Sequence, residues 1–348
     1  MSLTPDQIAD FTKLTLNKFE KNSWVDLSLS LNNFYGVSKV FQKHKALFAG
    51  GANYEWQLQV TTSGNARMTG MYAVDQTAVA DVMVSATVPF RKLTGNYSYA
   101  VDEDAFQSGP ETIIRLLKVR EHDCMSQIHN LQETLIWSNP SGTSDTTKIM
   151  GIPHWIVKDA TTTPGGAFNG GNPSGFSAGA AGVSSTTYTA WKNWTFGYTN
   201  VDRDDFVARL NKAAYKTNFQ NPHAYPELGK GADSNWSYCT TFATLDKLKK
   251  LLEGRNDNLG FDLSMPNNPK YMGNPFVPVA YLDDNDSSDP VYGINWNTMK
   301  PLFKSGWDMK RMPPKEAPNQ HGVYTVHIDT WEQIACFNRR SNFVGSTS

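Results

Sequence analysis

One apolar repeat limits what this chain can fold into more than any other feature. After the capping box Ser108-Gly109-Pro110-Glu111 come Ile114, Leu117, Cys124, Ile128, Leu131 and Leu135, spaced by threes, fours and sevens. The pattern runs until Asn139-Pro140 ends it. A helix of about 27 residues spans roughly 40 Å at 1.5 Å per residue, far above the usual ~11–12 residues. Such a helix must be the backbone of something elongated.

The elements around it are mixed. Thr4-Pro5-Asp6-Gln7 is another capping box, and a helix is expected over 4–20; Asn22 to Lys45 then reads as an extended arm. From Tyr54 to Val60 apolar and polar residues alternate, with Tyr54, Trp56, Leu58 and Val60 on one face. That is the period of a strand with one buried face. Val82 to Phe90 gives a second strand, separated by a polar tip over 61–80, so the two predict a projecting hairpin. Arg91 to Ala100 continues as strand. Thr161 to Thr187 is rich in Gly, Ala, Ser and Thr, the composition of a flexible loop or insertion. Helices are expected at about 203–217 and 242–254. Strands are expected at 236–241, Phe276–Leu282, Val291–Trp296, Gly322–Asp329 and Trp331–Asn338. Strands and helices mix without βαβ regularity, which favours α+β over a doubly wound sheet.

Charge and composition remove several functions. The 348 residues carry 32 Lys plus Arg against 33 Asp plus Glu, a formal charge of −1. That balance makes no basic field to hold nucleic acid by its phosphates. Aromatics reach 12%, including 10 Trp and 14 Tyr, enough to furnish interfaces as well as a core. Cys124, Cys239 and Cys336 are far apart and form no CxxC pair, so neither a disulfide framework nor a zinc knuckle is expected. No basic-then-apolar leader opens the chain, and no run of 18 apolar residues exists. No export and no membrane are the expectation.

Catalytic patterns are equally thin. His122 and His129 share a helix face but lie two turns apart, ~10 Å along the axis, too far for one ion. They read as exposed or capping histidines. Asp283-Asp284-Asn285-Asp286-Ser287-Ser288-Asp289 resembles the start of a calcium loop. Counted from Asp284, however, position 6 is Asp289 rather than Gly and position 12 is Asn295 rather than Glu, which favours a solvated turn. The glycines at 165–171 lack the order of a dinucleotide loop, and neither a GxSxG elbow nor a Walker lysine is present. Glu111, Glu121, Glu133 or Glu227 could supply the two acids of a glycoside hydrolase, although no spacing shows them converging. No catalytic, cofactor-binding or metal-binding residue is assigned, and the chain is read as no enzyme.

The order of elements and several phrases resemble the major capsid proteins of tailed bacteriophages, whose fold is shared with herpesviruses. The phrases are Gln76-Thr77 with Val79-Ala80-Asp81, Phe106-Gln107-Ser108-Gly109-Pro110-Glu111, Lys118-Val119-Arg120-Glu121-His122-Asp123, Gly151-Ile152-Pro153-His154-Trp155-Ile156, Tyr292-Gly293-Ile294-Asn295-Trp296-Asn297-Thr298 and Asn338-Arg339-Arg340-Ser341-Asn342-Phe343-Val344. They run from one end of the chain to the other. The resemblance implies an N-terminal arm over 1–48 and an extension loop over 49–90. It implies a peripheral domain over 91–155 with a spine helix at about 109–137, and an axial domain over 156–295. Residues 296–348 would return to the peripheral domain.

By that resemblance the chain self-assembles as pentamers and hexamers into the icosahedral head of a phage. The head would be assembled in the host cytoplasm around double-stranded DNA held without sequence-specific binding. A portal protein, a separate scaffolding protein (no removable segment precedes the arm) and possible cement proteins are the implied partners. Another virion component, cement or tail, is the alternative, and a glycoside hydrolase a more distant one. Inter-subunit contact is expected at the hairpin, through Tyr54, Trp56, Leu58 and Val60 on one strand and Val82, Val84 and Val88 on the other. A monomer leaving that face bare would show an apolar patch of a few hundred Å², which monomers rarely tolerate outside binding sites. Charged substitutions there are expected to spare the fold, and short deletions within Gly165–Ala181 likewise.

Overall fold

The computed structural model describes residues 35–74, 81–103, 110–159, 166–218, 235–253, 269–318 and 320–347. The helix expected over 4–20, residues 75–80 of the polar stretch and Glu227 lie outside them. Strands β1 Ala46–Phe48, β2 Asn53–Gln59, β3 Met83–Pro89 and β4 Arg91–Ala100 precede the long helix. Then follow β5 Ala167–Gly170, β6 Asn193–Tyr198, β7 Trp236–Thr240, β8 Lys270–Tyr271, β9 Asn274–Pro278 and β10 Val291–Asn295. The last strands are β11 Met299–Lys304, β12 Lys310–Arg311, β13 Lys315–Glu316, β14 Val323–Cys336 and β15 Phe343–Thr347. The helices are α1 Gln42–His44, α2 Pro110–Ile136, α3 Ile152–Trp155, α4 Ala208–Thr217, α5 Phe242–Glu253 and α6 Ala280–Asn285. The long helix is present at 27 residues.

The chain divides into two compact units. The smaller takes in Leu93–Leu131 and Gly306–Thr330. Its core is one side of α2, Cys124 and Ile128 one turn apart, against Leu93, Tyr97, Val326 and Ile328. Gly95 permits the approach, because a Cβ there would come within 2.6 Å of Ile128. Around this core Arg311 donates to the Tyr97 hydroxyl at 2.5 Å and pairs with Glu121 at 3.0 Å. The sequence expects two strands over this stretch and beyond, but β14 is continuous. Thr330 and Asp329 at the expected break are buried, and the Thr330 hydroxyl accepts from Met309 N–H at 2.9 Å. Leu131, counted among the core positions of the helix, is 45% exposed.

The larger unit comprises Asn33–Lys92, Gln132–Ser305 and Trp331–Ser348. Its main sheet has seven strands in the order β5-β6-β15-β10-β7-β9-β8. β6 with β15 and β7 with β9 are parallel, and β10 is antiparallel to both β15 and β7. Mixed pairing of this kind is what α+β implies. Both faces of the sheet are covered. Tyr238, Val291 and Phe343 enter one cluster with Leu210 of α4 and Leu245 of α5. Their neighbours Cys239, Tyr292 and Val344 enter the other, with Trp155, Trp296 and Ile334. Gly293 and Gly345 make room for aromatic rings, since a Cβ would meet Phe343 at 2.2 Å and Phe196 at 2.3 Å respectively.

Three local expectations are corrected. Residues 36–44, read as extended, form a wide helical turn followed by α1. Val40 and Phe41 are buried there, and the buried Glu133 carboxylate accepts from Gly36 and Val37 N–H at 3.0 and 2.9 Å. The strand expected over 276–282 stops at Pro278, and the chain turns into α6. The third concerns 166–187, which is packed rather than loose. β5 pairs with β6; Phe176, Ala180, Ala181 and Val183 are buried; and Asn172 Oδ1 accepts from both the N–H and hydroxyl of Ser185. Its glycines serve close approach. A Cβ at Gly170 would sit 1.9 Å from Asn193 Oδ1, one at Gly175 2.1 Å from the Ser141 carbonyl, and one at Gly179 2.0 Å from that of Val183. Small residues here are a packing requirement.

Candidate assembly surface

The hairpin forms as its alternation predicts. β2 and β3 are antiparallel, with Tyr54 opposite Val88, Trp56 opposite Ala86 and Leu58 opposite Val84. Val60 N–H extends the ladder to the Val82 carbonyl at 3.0 Å. The apolar face, however, lies against the chain's own core. Leu58, Val60, Ala86 and Val88 are buried in the largest cluster, and Tyr54, Trp56 and Val84 are half-buried against it. The Trp56 ring lies 5.5 Å from Phe337 and 6.4 Å from Trp155, and Tyr54 lies 5.2 Å from Phe48. Val82 is half-buried as well. Of the seven residues expected to meet a neighbour, Leu58, Val60 and Val88 therefore have almost no surface left to offer one.

What the hairpin does leave bare is its tip. Every residue from 61 to 74 is exposed. Met68, Met71, Tyr72 and Val74 are 104%, 91%, 94% and 87% exposed, a concentration that water alone does not favour. The segment is given a bend by Ala73 N–H donating to the Gly70 carbonyl at 3.2 Å. The Arg67 guanidinium reaches the Val74 carbonyl at 2.5 Å. Sequence reasoning passed over this stretch because no period marks it; four large apolar residues inside a polar loop were the available signal.

Several residues considered for chemistry have structural partners. Asp283 caps α5 by accepting from Phe242 N–H at 3.0 Å. Asp286 pairs with Lys158 and accepts from the Ser288 hydroxyl at 2.7 Å; burial works against its charge, but these donors hold its carboxyl below the usual range. Asp289 accepts from the Thr241 hydroxyl at 3.0 Å and faces Lys247 at 3.7 Å. The acidic run is thus a set of caps and ion pairs. Glu121 pairs with Arg311, and Glu133 takes three donors, the third being Trp137 Nε1 at 2.8 Å. Among the described residues, no group of three or more His, Cys, Asp or Glu is placed to hold a metal ion. No described helix is long and apolar enough to cross a membrane. All three cysteines are unpaired and buried, and burial pushes the Cys336 thiol up to about 12.

No family model matches the chain, and no curated protein does. Solved structures do. The capsid asymmetric unit of cyanophage A-1(L) is similar at a TM-score of 0.61 and 16% identity, covering 95% of this chain and 98% of that one. The capsid subunit of a native GTA particle superposes at 0.58 with 11% identity, covering the whole of both chains. That of Myoviridae phage XM1 gives 0.55 with 9% identity, over 96% and 97%. At such identities the likeness is one of fold, and it extends almost from end to end. The chain has the capsid-protein fold of these phage and GTA particle subunits.

Proposed function

We propose that this chain is the major subunit of an icosahedral shell, the head of a tailed phage, enclosing double-stranded DNA. The observation that carries the reading is the end-to-end match with subunits of three capsids, joined to a hairpin tip with four bare apolar side chains. Residues 49–90 act as the extension loop, with 1–48 as the arm and the long helix as the spine of a peripheral domain over 91–155 and 296–348. Residues 156–295, with β15 returning into their sheet, make the axial domain at the five- and six-fold axes. The strand face of the loop anchors it to its own subunit, and the tip at 61–74 lies on the next copy. Burying ~400 Å² of such a tip gives on the order of 10 kcal/mol gross. Ordering and association consume most of that, so each contact is weak and repetition holds the shell. A near-neutral chain suits a wall around a polyanion, neither holding the DNA nor repelling it. Scaffolding, portal and cement proteins are the partners such a head would take.

Negative-stain microscopy of the purified chain, alone and with a phage scaffolding protein, tests this. Closed shells of uniform size are expected in at least one of the two. Tubes would support a tail protein, and dispersed monomers under both conditions would overturn the shell reading.

A further inference from the structure

Two acidic side chains are fully buried near the end of the long helix, and they are treated differently. Glu133 has three hydrogen-bond donors, from Gly36, Val37 and Trp137. Glu332, 1% exposed on β14, has one. Its Oε2 accepts from Gln132 Nε2 at 2.7 Å, while Oε1 is buried and meets no donor. An ionised carboxylate away from water needs a cation or several donors, or it takes up a proton.

Among the described residues no cation pairs with Glu332. Glu332 stands opposite Phe303 in the β11–β14 register, Lys300 stands opposite Ala335, and Lys304 follows Phe303 on β11. Alternation therefore sends both lysines to the other face of the pair, and Lys304 Nζ lies over the Trp331 ring at 5.7 Å. Lys45 ends over the Phe303 ring, 4.8 Å from its centre. On the helix, Glu133 is turned to the Gly36 turn. On β14 itself the nearest titratable group on the same face is Cys336, whose thiol stays neutral.

We propose that Glu332 is a buried proton-binding site that fastens the last turn of α2 to β14 when protonated and loosens it when the proton leaves. Burial, opposed only by the Gln132 hydrogen bond, pushes the carboxyl up to about 7. The folded chain thus binds this proton more tightly than the unfolded chain, whose carboxyl titrates near 4.5. Its contribution is fully present below that value and is lost as pH rises through about 7. The proton-free state leaves a bare charge between the helix and a central strand, so the device responds to alkaline, not acidic, conditions.

The test uses the full, unassembled chain with 13C-labelled glutamate. Infrared spectra are expected to show a protonated-carboxyl band at pH 6 that disappears with a midpoint near 7. Glu332→Gln should remove that band, and its thermal unfolding should fall less between pH 6 and 8.5 than that of the unsubstituted chain. Gln132→Leu removes the one hydrogen bond favouring the charged form, so the midpoint should move to higher pH. This second variant decides the matter if Glu332→Gln does not fold. Absence of the band at pH 6, a midpoint unmoved by Gln132→Leu, or identical pH dependence in Glu332→Gln overturns the proposal. None of these readouts depends on shell formation.

Discussion

Arg339 is wholly buried, and none of its partners is a carboxylate. Its Nε donates to the Trp155 carbonyl at 2.7 Å, and one terminal nitrogen donates to the Gly171 carbonyl at 2.9 Å and to Asn193 Oδ1 at 3.3 Å. The guanidinium lies over the Trp191 ring at 5.9 Å. Burial lowers its pKa to about 10, so it remains cationic at neutral pH. One side chain therefore ties the end of α3, the glycine-rich stretch and the start of β6 together, through a planar fork that lysine cannot reproduce. Arg339→Met leaves the Trp155 and Gly171 carbonyls without this donor, while Asn193 Oδ1 keeps the Val157 N–H at 3.1 Å, and should cost about 2 kcal/mol or more, at ~1–3 kcal/mol for each unmet group. Arg339→Lys should recover only part of it. Equilibrium denaturation of the isolated chain measures both, and an unchanged midpoint for Arg339→Met would show that the fork carries no load. The phrase containing Arg339 is legible in the sequence as part of a resemblance, but its role is not, because carbonyl partners leave no mark in a sequence.

At the scale of elements, alternation identified β2 and β3 because each has one polar face, and the capped repeat identified α2. It failed at β6 and β15. Both belong to a sheet covered on two sides, so Asn193–Tyr198 is buried throughout and shows no period of two. The glycine-rich stretch misled for a related reason: small residues required by close packing have the composition of a flexible loop. Deleting Ala178–Gly182 would remove Ala180 and Ala181 from the core, together with the carbonyl that accepts from Trp191 Nε1 at 3.3 Å. Circular dichroism of the soluble chain should show loss of the native fold; a folded deletion variant would mean that the stretch contributes little packing. In the proposed shell the hairpin separates anchoring from contact. Leu58→Asp places a charge in the core and should give unfolded or insoluble protein. Tyr72→Asp and Met71→Asp alter only exposed surface, and should leave thermal unfolding within about 0.5 kcal/mol of the unsubstituted chain while abolishing shells by sedimentation. Shell formation unimpaired by both tip variants would remove the tip from the assembly contact.

For the molecule as a whole, the sequence supports α+β mixing, an oversized helix and a hairpin, and their order, with the phrases that resemble phage capsid proteins, indicates the capsid fold. They do not indicate that the hairpin's strands belong to the core of their own subunit. Alternation tells that a face is buried but not whether its cover is the same chain or another. That ambiguity is inherent in reading a strand face from sequence, and only the folded chain separates the two covers. In the proposed shell each copy lays its hairpin tip on a neighbour. Cryo-electron microscopy of particles produced by the full chain with a scaffolding protein tests it most directly. The expected result is an icosahedral shell in which density for Met68, Met71, Tyr72 and Val74 rests on the adjacent copy. Failure to form closed particles, or a shell in which residues 61–74 touch no neighbour, would contradict it.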